Sequence, residues 1–300
     1  MKKRDMRPQY GGTRGIINPA NAVARFHIDR RPPADDLTPF VAHYWHVEWD
    51  LREPYEQCVL PHPAVNMTFL PDGANVRGVI REPFHQVLTG RGRVLGVMFH
   101  PGGFRPFLGA PLFTITDRTL ELADVFGPAG LQLAQAVSNA PDEAAMIAPV
   151  DEFLRATRPE RDATAEEVTE MVALAAGDSS IVRVGDLADH LGVSARRLQR
   201  LFAEYVGVGP KWVIRRYRMH EAAERAGSGL TVDWTALAVE LGYSDQAHFI
   251  RDFTNTVGMP PLRYARLVRD SETGSGGRTL ADVDGDPGAG TPPVSTNAKD

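Results

Sequence analysis

The alternation of apolar and polar positions changes its rhythm once along this chain. Over residues 26–113 the apolar residues come in short runs, at 40–49, 65–70, 76–80, 87–88 and 94–99. These runs are rich in the β-branched and aromatic side chains that suit a pleated surface. Pro71-Asp72-Gly73 separates two of them and Pro101-Gly102-Gly103 follows another. Proline fixes φ and glycine accepts positive φ, which is turn chemistry. The first half therefore predicts a β-rich, sandwich- or barrel-like domain. From Leu120 the spacing turns helical, with helices expected over 130–138, 142–156 and 165–175. The polar stretch 157–164, containing Pro159, is the expected boundary. Residues 271–300 hold six Gly and three Pro and almost no large apolar side chains. They cannot offset the entropy of ordering, and a disordered tail is expected. The expected organisation is thus α+β: a β-rich sensor or dimerisation domain with trailing helices (1–157), an all-α domain (158–270) and the tail (271–300).

The helical half repeats itself. Leu187-Ala188-x-x-Leu191-Gly192-x-Ser194 recurs as Leu237-Ala238-x-x-Leu241-Gly242-x-Ser244, an offset of 50. One residue later, at offset 51, Leu198 matches Phe249, Arg200 matches Arg251, Phe202 matches Phe253, and Pro210 matches Pro261. Each copy spells a helix ending at glycine, a tight turn, and a serine that starts a second helix, which is the grammar of a helix-turn-helix unit. The small Ala188 and Ala238 let the two helices of a unit cross closely.

At about 100° per residue, the helix after Ser194 buries Leu198, Leu201, Phe202 and Tyr205 and turns Arg196, Gln199, Arg200 and Ala203 outward. Arginine can make two hydrogen bonds to guanine O6 and N7, and glutamine two to adenine N6 and N7. In the second copy Ala247, Ile250, Arg251 and Thr254 take the outward places and Phe249, Phe253 and Val257 the inward ones. Gln246 near the helix start can reach a base edge, and Ala247 or Ile250 a thymine methyl. Ile250 has an intermediate angle and reads equally as a core residue. Between the copies, residues 211–226 predict one helix of about 24 Å at 1.5 Å per residue, a strut suited to holding two reading helices roughly one DNA turn, about 34 Å, apart. Val213, Ile214, Met219 and Ala222 are its candidates for burial. Arg197 and Lys211 beside the first reading helix, Arg215, Arg216 and Arg218 on the strut, and His248 complete the expected phosphate-contacting set.

Charge sharpens this picture. The 300 residues carry a formal net charge of −5, against a protein that coats nucleic acid. Yet residues 181–270 hold 13 Lys+Arg against 10 Asp+Glu, and 196–218 hold seven bases against the single acid Glu204. An anion-binding surface fits this clustering, as does a solvated helix face. The apolar runs fall short of the roughly 18 residues that cross a membrane. Met1-Lys2-Lys3-Arg4 is followed by Asp5-Met6-Arg7-Pro8, where a secretion signal would turn apolar. The lone Cys58 makes no internal disulfide. A cytoplasmic location is expected.

The doubled units and their linker, with Gly242-Tyr243-Ser244-Asp245-Gln246-Ala247-His248-Phe249-Ile250-Arg251-Asp252-Phe253 followed by Gly258-Met259-Pro260-Pro261-Leu262-Arg263-Tyr264, resemble the AraC/XylS family of bacterial transcription regulators over residues 179–269. The resemblance implies a non-enzymatic regulator that binds promoter DNA and contacts RNA polymerase, with no cofactor. It places the base-reading positions at Arg196, Gln199 and Arg200 and at Gln246, Ala247 and Arg251. The chain departs from the family pattern at Ile250, where a small polar residue is usual, and at Arg225-Ala226, where bulky apolar residues often close the linker helix.

The first half resembles more loosely the β-rich sensor domains attached to such regulators, and residues 96–127 an uncharacterised domain that recurs there. A small-molecule effector and a homodimer are the partners this suggests. A second reading comes from His43, His46, His62, His85 and His100 with Glu48: a cupin-type metalloenzyme with a regulatory helical domain. His43 and His46 are three apart and would face opposite sides of a strand, so core or edge histidines are the better reading. Trp45 and Trp49 share one face and are expected in the core rather than in an aromatic pocket. A third reading makes the helical pair a protein-binding module, which the Arg-Gln-Arg arc disfavours.

Overall fold

The computed structural model describes residues 15–227 and 232–272. All but the first two residues of the expected tail lie outside these. In chain order the elements are α1 (Pro19–Val23), β1 (Phe26–Arg31), β2 (Val41–Asp50), β3 (Tyr55–Val59), β4 (Asn66–Leu70), β5 (Gly73–Arg77), β6 (Phe84–Leu88) and β7 (Arg91–Phe99). Then come α2 (Arg105–Leu108), a 3₁₀ turn (Leu112–Ile115), β8 (Thr119–Glu121), α3 (Leu122–Phe126), α4 (Pro128–Ser138) and α5 (Glu143–Ala156). The helical half runs α6 (Ala163–Gly177), α7 (Val184–Leu191), α8 (Ala195–Tyr205), α9 (Pro210–Gly227), α10 (Trp234–Glu240), α11 (Gln246–Val257) and α12 (Pro261–Glu272).

Six strands form an antiparallel sheet in the order β1-β2-β7-β4-β5-β8, and β3 pairs with β6 in a second sheet. Among the described residues neither sheet closes on itself, so the expected β-rich domain is a sandwich rather than a barrel. Alternation divides the six-stranded sheet. One face, with Tyr44, Met67, Phe69, Val76, Leu95, Val97 and Phe99, packs on α3–α5 through Leu122, Leu133, Val137, Met146, Val150 and Leu154. The Tyr44 hydroxyl donates to Asp151 on α5 at 2.5 Å. The other face looks toward β3 and β6. Pro71 and Asp72 form the two-residue turn of the β4–β5 hairpin, since Leu70 pairs with Gly73. The expected run 76–80 shifts to Gly73–Arg77 because the backbone at Gly78 comes against the carbonyl of Ile115, where a β-carbon would sit 1.9 Å from that oxygen.

In the helical half, α6 to α9 share one core containing Val168, Val172, Leu187, Leu198, Phe202 and Ile214. The end of α9 shares another with α10 to α12, around Phe249, Phe253, Val257 and Tyr264. The repeat partners Phe202 and Phe253 are both wholly buried, each contributing about 1.5–3 kcal/mol. The linker α9 has 18 residues, about 27 Å at 1.5 Å per residue. The two halves meet closely. Thr116 Oγ1 donates to the Gly207 carbonyl at 2.6 Å, Thr169 Oγ1 to the Pro101 carbonyl at 2.6 Å, and Arg105 pairs with Glu204 at 3.2 Å. The imidazoles of His62 and His220, both buried, stack at 4.5 Å with planes 4° apart.

Candidate nucleic-acid interface

Each reading helix is set by the same turn. Gly192 ends α7 at φ 64°, and the Val193 amide donates to the Ala188 carbonyl at 3.0 Å. Gly242 follows α10 at φ 81°, and the Tyr243 amide donates to the Ala238 carbonyl at 2.9 Å. Left-handed φ is the conformation glycine adopts at little cost, which is why both copies place it there. Ala188 and Ala238 are buried at the crossings. Ser194 caps α8, its hydroxyl accepting from the Arg197 amide at 3.2 Å. The second cap differs from the expectation. Asp245, not Ser244, caps α11 and accepts from the His248 amide at 2.7 Å. The extra residue that moves the repeat offset from 50 to 51 falls in this turn, so position 194 corresponds to 245. Ser244 instead donates to the Asp245 carboxylate at 3.1 Å. That bond and the His248 amide hold the Asp245 carboxyl below its ordinary range, the amide being the larger cause.

On α8, Leu198, Leu201, Phe202 and Tyr205 are buried while Arg196, Gln199 and Arg200 are exposed and Ala203 is half-buried. On α11, Phe249, Phe253 and Val257 are buried while Gln246, Ala247 and Arg251 are exposed. Ile250 is half-buried against the second helical core. Gln246 Oε1 accepts from Thr235 Oγ1 at 3.1 Å, which steadies it against α10. The Thr254 hydroxyl is turned back to the Ile250 carbonyl at 2.7 Å.

The expected phosphate set divides. Lys211 and His248 are exposed, His248 with its ring edge-on to Tyr243 at 5.1 Å. Arg197 is 48% exposed and pairs with Glu167 at 3.1 Å. Arg215 is half-exposed and pairs with Asp252, which also accepts from the Tyr243 hydroxyl. This trio fastens the linker to α11.

Arg216 and Arg218 depart from the expected phosphate set: both are buried, at 5% and 2% exposure, and cannot meet a phosphate. Arg216 lies over the Trp212 ring at 4.7 Å and donates to the Arg81 carbonyl of the β-rich half. Burial pushes its guanidinium down to about 10. Arg218 donates to the Ala175 and Asp178 carbonyls at 2.6 and 3.1 Å and pairs with Glu221 at 2.8 Å, so it caps the carbonyl end of α6. The strut has neighbours on most of its circumference, and a helical wheel that counts every arginine as outward cannot see that. At the linker's end Arg225 pairs with Glu221 at 2.7 Å and Glu240 at 2.6 Å, over a buried Ala226.

Among the described residues no three His, Cys, Asp or Glu side chains are grouped so as to hold a metal ion. His43 and His62 line the space between the sheets, while His46 lies on the other face of β2. His85 bonds to Glu56 at 3.0 Å with its other nitrogen 3.7 Å from the buried Cys58 thiol. Burial pushes that thiol up to about 11. Trp49 is core, but Trp45 lines the same inter-sheet space, contrary to expectation. Also in that lining are Arg30 and Arg77, which the pattern of the sequence could have flagged. They sit at strand positions that alternate with or neighbour apolar inward residues, as in Phe26-x-Ile28-x-Arg30.

Residues 187–267 match the profile of a helix-turn-helix domain. The C-terminal unit is an AraC-type helix-turn-helix domain. Ahead of this helix-turn-helix domain, residues 29–121 match a domain of unknown function, DUF6597. Similar curated proteins include an uncharacterized HTH-type transcriptional regulator, YfiF, of Bacillus subtilis, 31% identical over 94 residues, which are 31% of this chain and 29% of that one. The regulatory protein PocR of Salmonella typhimurium is 28% identical over 95 residues, 31% of this chain and 30% of that one. The chain spans about a third or less of the length of these relatives. Solved structures that resemble it include ToxT from Vibrio cholerae (TM-score 0.37, 10% identity, 82% of this chain and 98% of that one) and the AraC-like transcriptional activator CuxR (TM-score 0.22, 17% identity, 68% and 88%).

Proposed function

We propose that the chain is a sequence-specific transcription regulator whose two helix-turn-helix units read successive major-groove segments of a promoter. The observation that carries this is the matched pair of reading faces. Arg196 and Arg200 on α8 and, 51 residues on, Ala247 and Arg251 on α11 stand exposed at equivalent places of a duplicated scaffold, with Gln199 and Gln246 exposed beside them. Their donors suit base edges. Arg197, Lys211, Arg215 and His248 flank them and suit the phosphate backbone, Arg197 and Arg215 by exchanging a carboxylate partner for phosphate. In this reading the protein works in the cytoplasm, meets RNA polymerase at the promoter, self-associates through its β-rich half, and responds there to a small molecule.

Binding to the DNA upstream of its own gene, followed by fluorescence anisotropy across a salt series, tests the reading. A steep salt dependence together with a preference over random duplex of at least about 10³-fold is expected. Binding without sequence preference, or none, overturns it.

A further inference from the structure

The two sheets of the sandwich do not pack flush. Between them lies a cavity of about 210 Å³. Strand alternation builds its wall. Phe26, Ile28 and Arg30 of β1 and His43, Trp45 and Val47 of β2 all point in, with similar inward sets from β4, β6 and β7. The Trp45 indole lies flat across Gly96 of β7, where an added β-carbon would be 2.0 Å from the ring, so the missing side chain makes the room. Its Nε1 is held by Asn66 at 3.3 Å.

The charged side chains of this wall have one sign. Arg30 and Arg77 belong to it, and among the described residues that line it there is no Asp or Glu. The Arg77 guanidinium lies over the Phe84 ring at 4.0 Å. Burial lowers the pKa of both arginines. His43 is pushed down to about 4 by burial, with the positive charge of Arg30 next and then His100. The field in the cavity is therefore positive, in surroundings otherwise dominated by Ile, Val, Leu, Phe and Trp side chains. A cation would meet no counter-charge among the described lining residues. A neutral apolar molecule would remove water from Arg77 and give nothing in return. An anionic group relieves that cost, and guanidinium is the side chain that best pairs with carboxylate.

Volume limits the rest of the ligand. A dry cavity of about 150 Å³ accepts benzene. By proportion this one accepts about eight or nine non-hydrogen atoms. We propose that the cavity binds a small organic monoanion, a carboxylate on a compact apolar body, with its charged end directed at Arg30 and Arg77 and its body against Trp45, Phe26 and Ile28. The inference rests on the regulatory reading above, in which the β-rich half senses a small molecule. It adds the chemistry of that molecule. His62, which lines the cavity, stacks on His220 of the linker α9, so an occupant touches the same contact that joins the sandwich to the DNA-binding half.

The test is calorimetric titration of the full chain with cyclohexanecarboxylate, cyclohexanecarboxamide and cyclohexylmethylamine, close in size and different in charge. The carboxylate is expected to bind at one site, at least tenfold tighter than the other two, and to raise the His43 pKa from about 4 as followed by NMR. Arg77→Met, with its circular dichroism unchanged, is expected to weaken carboxylate binding at least tenfold. Equal binding of carboxylate and amide, or no carboxylate binding up to millimolar concentration, overturns the assignment. Should Arg77→Met fail to fold, the comparison of carboxylate with amide on the unmodified chain still decides. Selection from a random duplex library is run separately. Carboxylate binding without DNA binding removes the regulator and keeps the ligand class, whereas DNA binding without carboxylate discrimination does the reverse.

Discussion

Replacing Arg218 by methionine separates a structural arginine from a DNA-contacting one. Methionine keeps much of the apolar stem and removes the guanidinium. That deletes the Glu221 pair at 2.8 Å and the bonds to the Ala175 and Asp178 carbonyls, from a side chain 3% exposed. Breaking a buried ion pair costs about 3–5 kcal/mol, most of it from the partner left uncompensated. Glu221 is 20% exposed and keeps Arg225 at 2.7 Å, so the lower end, about 3 kcal/mol, is expected. Urea unfolding followed by circular dichroism reads this loss. Anisotropy titrations at several salt concentrations read the second half of the claim. The slope of log affinity against log salt should be unchanged in Arg218→Met, whereas Lys211→Ala should flatten it by about 0.9. Normal stability with a flattened slope in Arg218→Met would place that guanidinium on phosphate and refute the burial argument.

Arg200→Ala should cost about 1–3 kcal/mol in specific binding and relax preference at one base pair, while Lys211→Ala weakens all duplexes alike. Equal losses on specific and random DNA for both would undo the division into readers and phosphate contacts. Gly192→Ala has open space around it and should cost about 1–2 kcal/mol for left-handed backbone alone. Gly242→Ala should cost more, because its β-carbon would also fall 2.7 Å from that of Val182; chemical denaturation of the two variants checks the order. Asp245→Ala should lower the unfolding midpoint more than Ser244→Ala, since Asp245 holds the cap. His43 has a folded pKa near 4 against about 6.5 unfolded, so the unfolded chain takes up its proton first as pH falls. Its contribution is full above about pH 6.5 and is lost toward about pH 4, about 2 kcal/mol of it between roughly pH 7 and 5. His43→Gln should flatten the stability profile in that window, and an unaltered profile would show that the imidazole is not desolvated.

Much of the helical half could be read from the chain because two independent regularities coincide there. The 50- and 51-residue offsets identify the units, and helical periodicity sorts Leu198, Phe202, Phe249 and Phe253 from Arg196, Gln199, Arg200 and Arg251. Even the misplaced cap follows from the inserted residue, once the offset is applied at Asp245 rather than Ser244. What periodicity cannot express is tertiary burial of a charged side chain. Arg216 and Arg218 look like solvent-facing bases until α6 and the Arg81 loop supply their carbonyl acceptors. In the β-rich half, β1 and β3 were hidden because charged or amide residues alternate with few apolar ones, as in Phe26-His27-Ile28-Asp29 and Tyr55-Glu56-Gln57-Cys58. The inter-sheet cavity was hidden for a related reason. Its wall is assembled from alternate, inward-facing residues of seven strands, and no local window contains it.

The most direct measurement is guanine N7 methylation protection on the duplex that selection from a random library enriches. Two protected major-groove segments about 10 base pairs apart on one face of the helix are expected, the first lost in Arg200→Ala and the second in Arg251→Ala. A single protected segment, or protection indifferent to both substitutions, would contradict the reading of α8 and α11 as paired recognition helices.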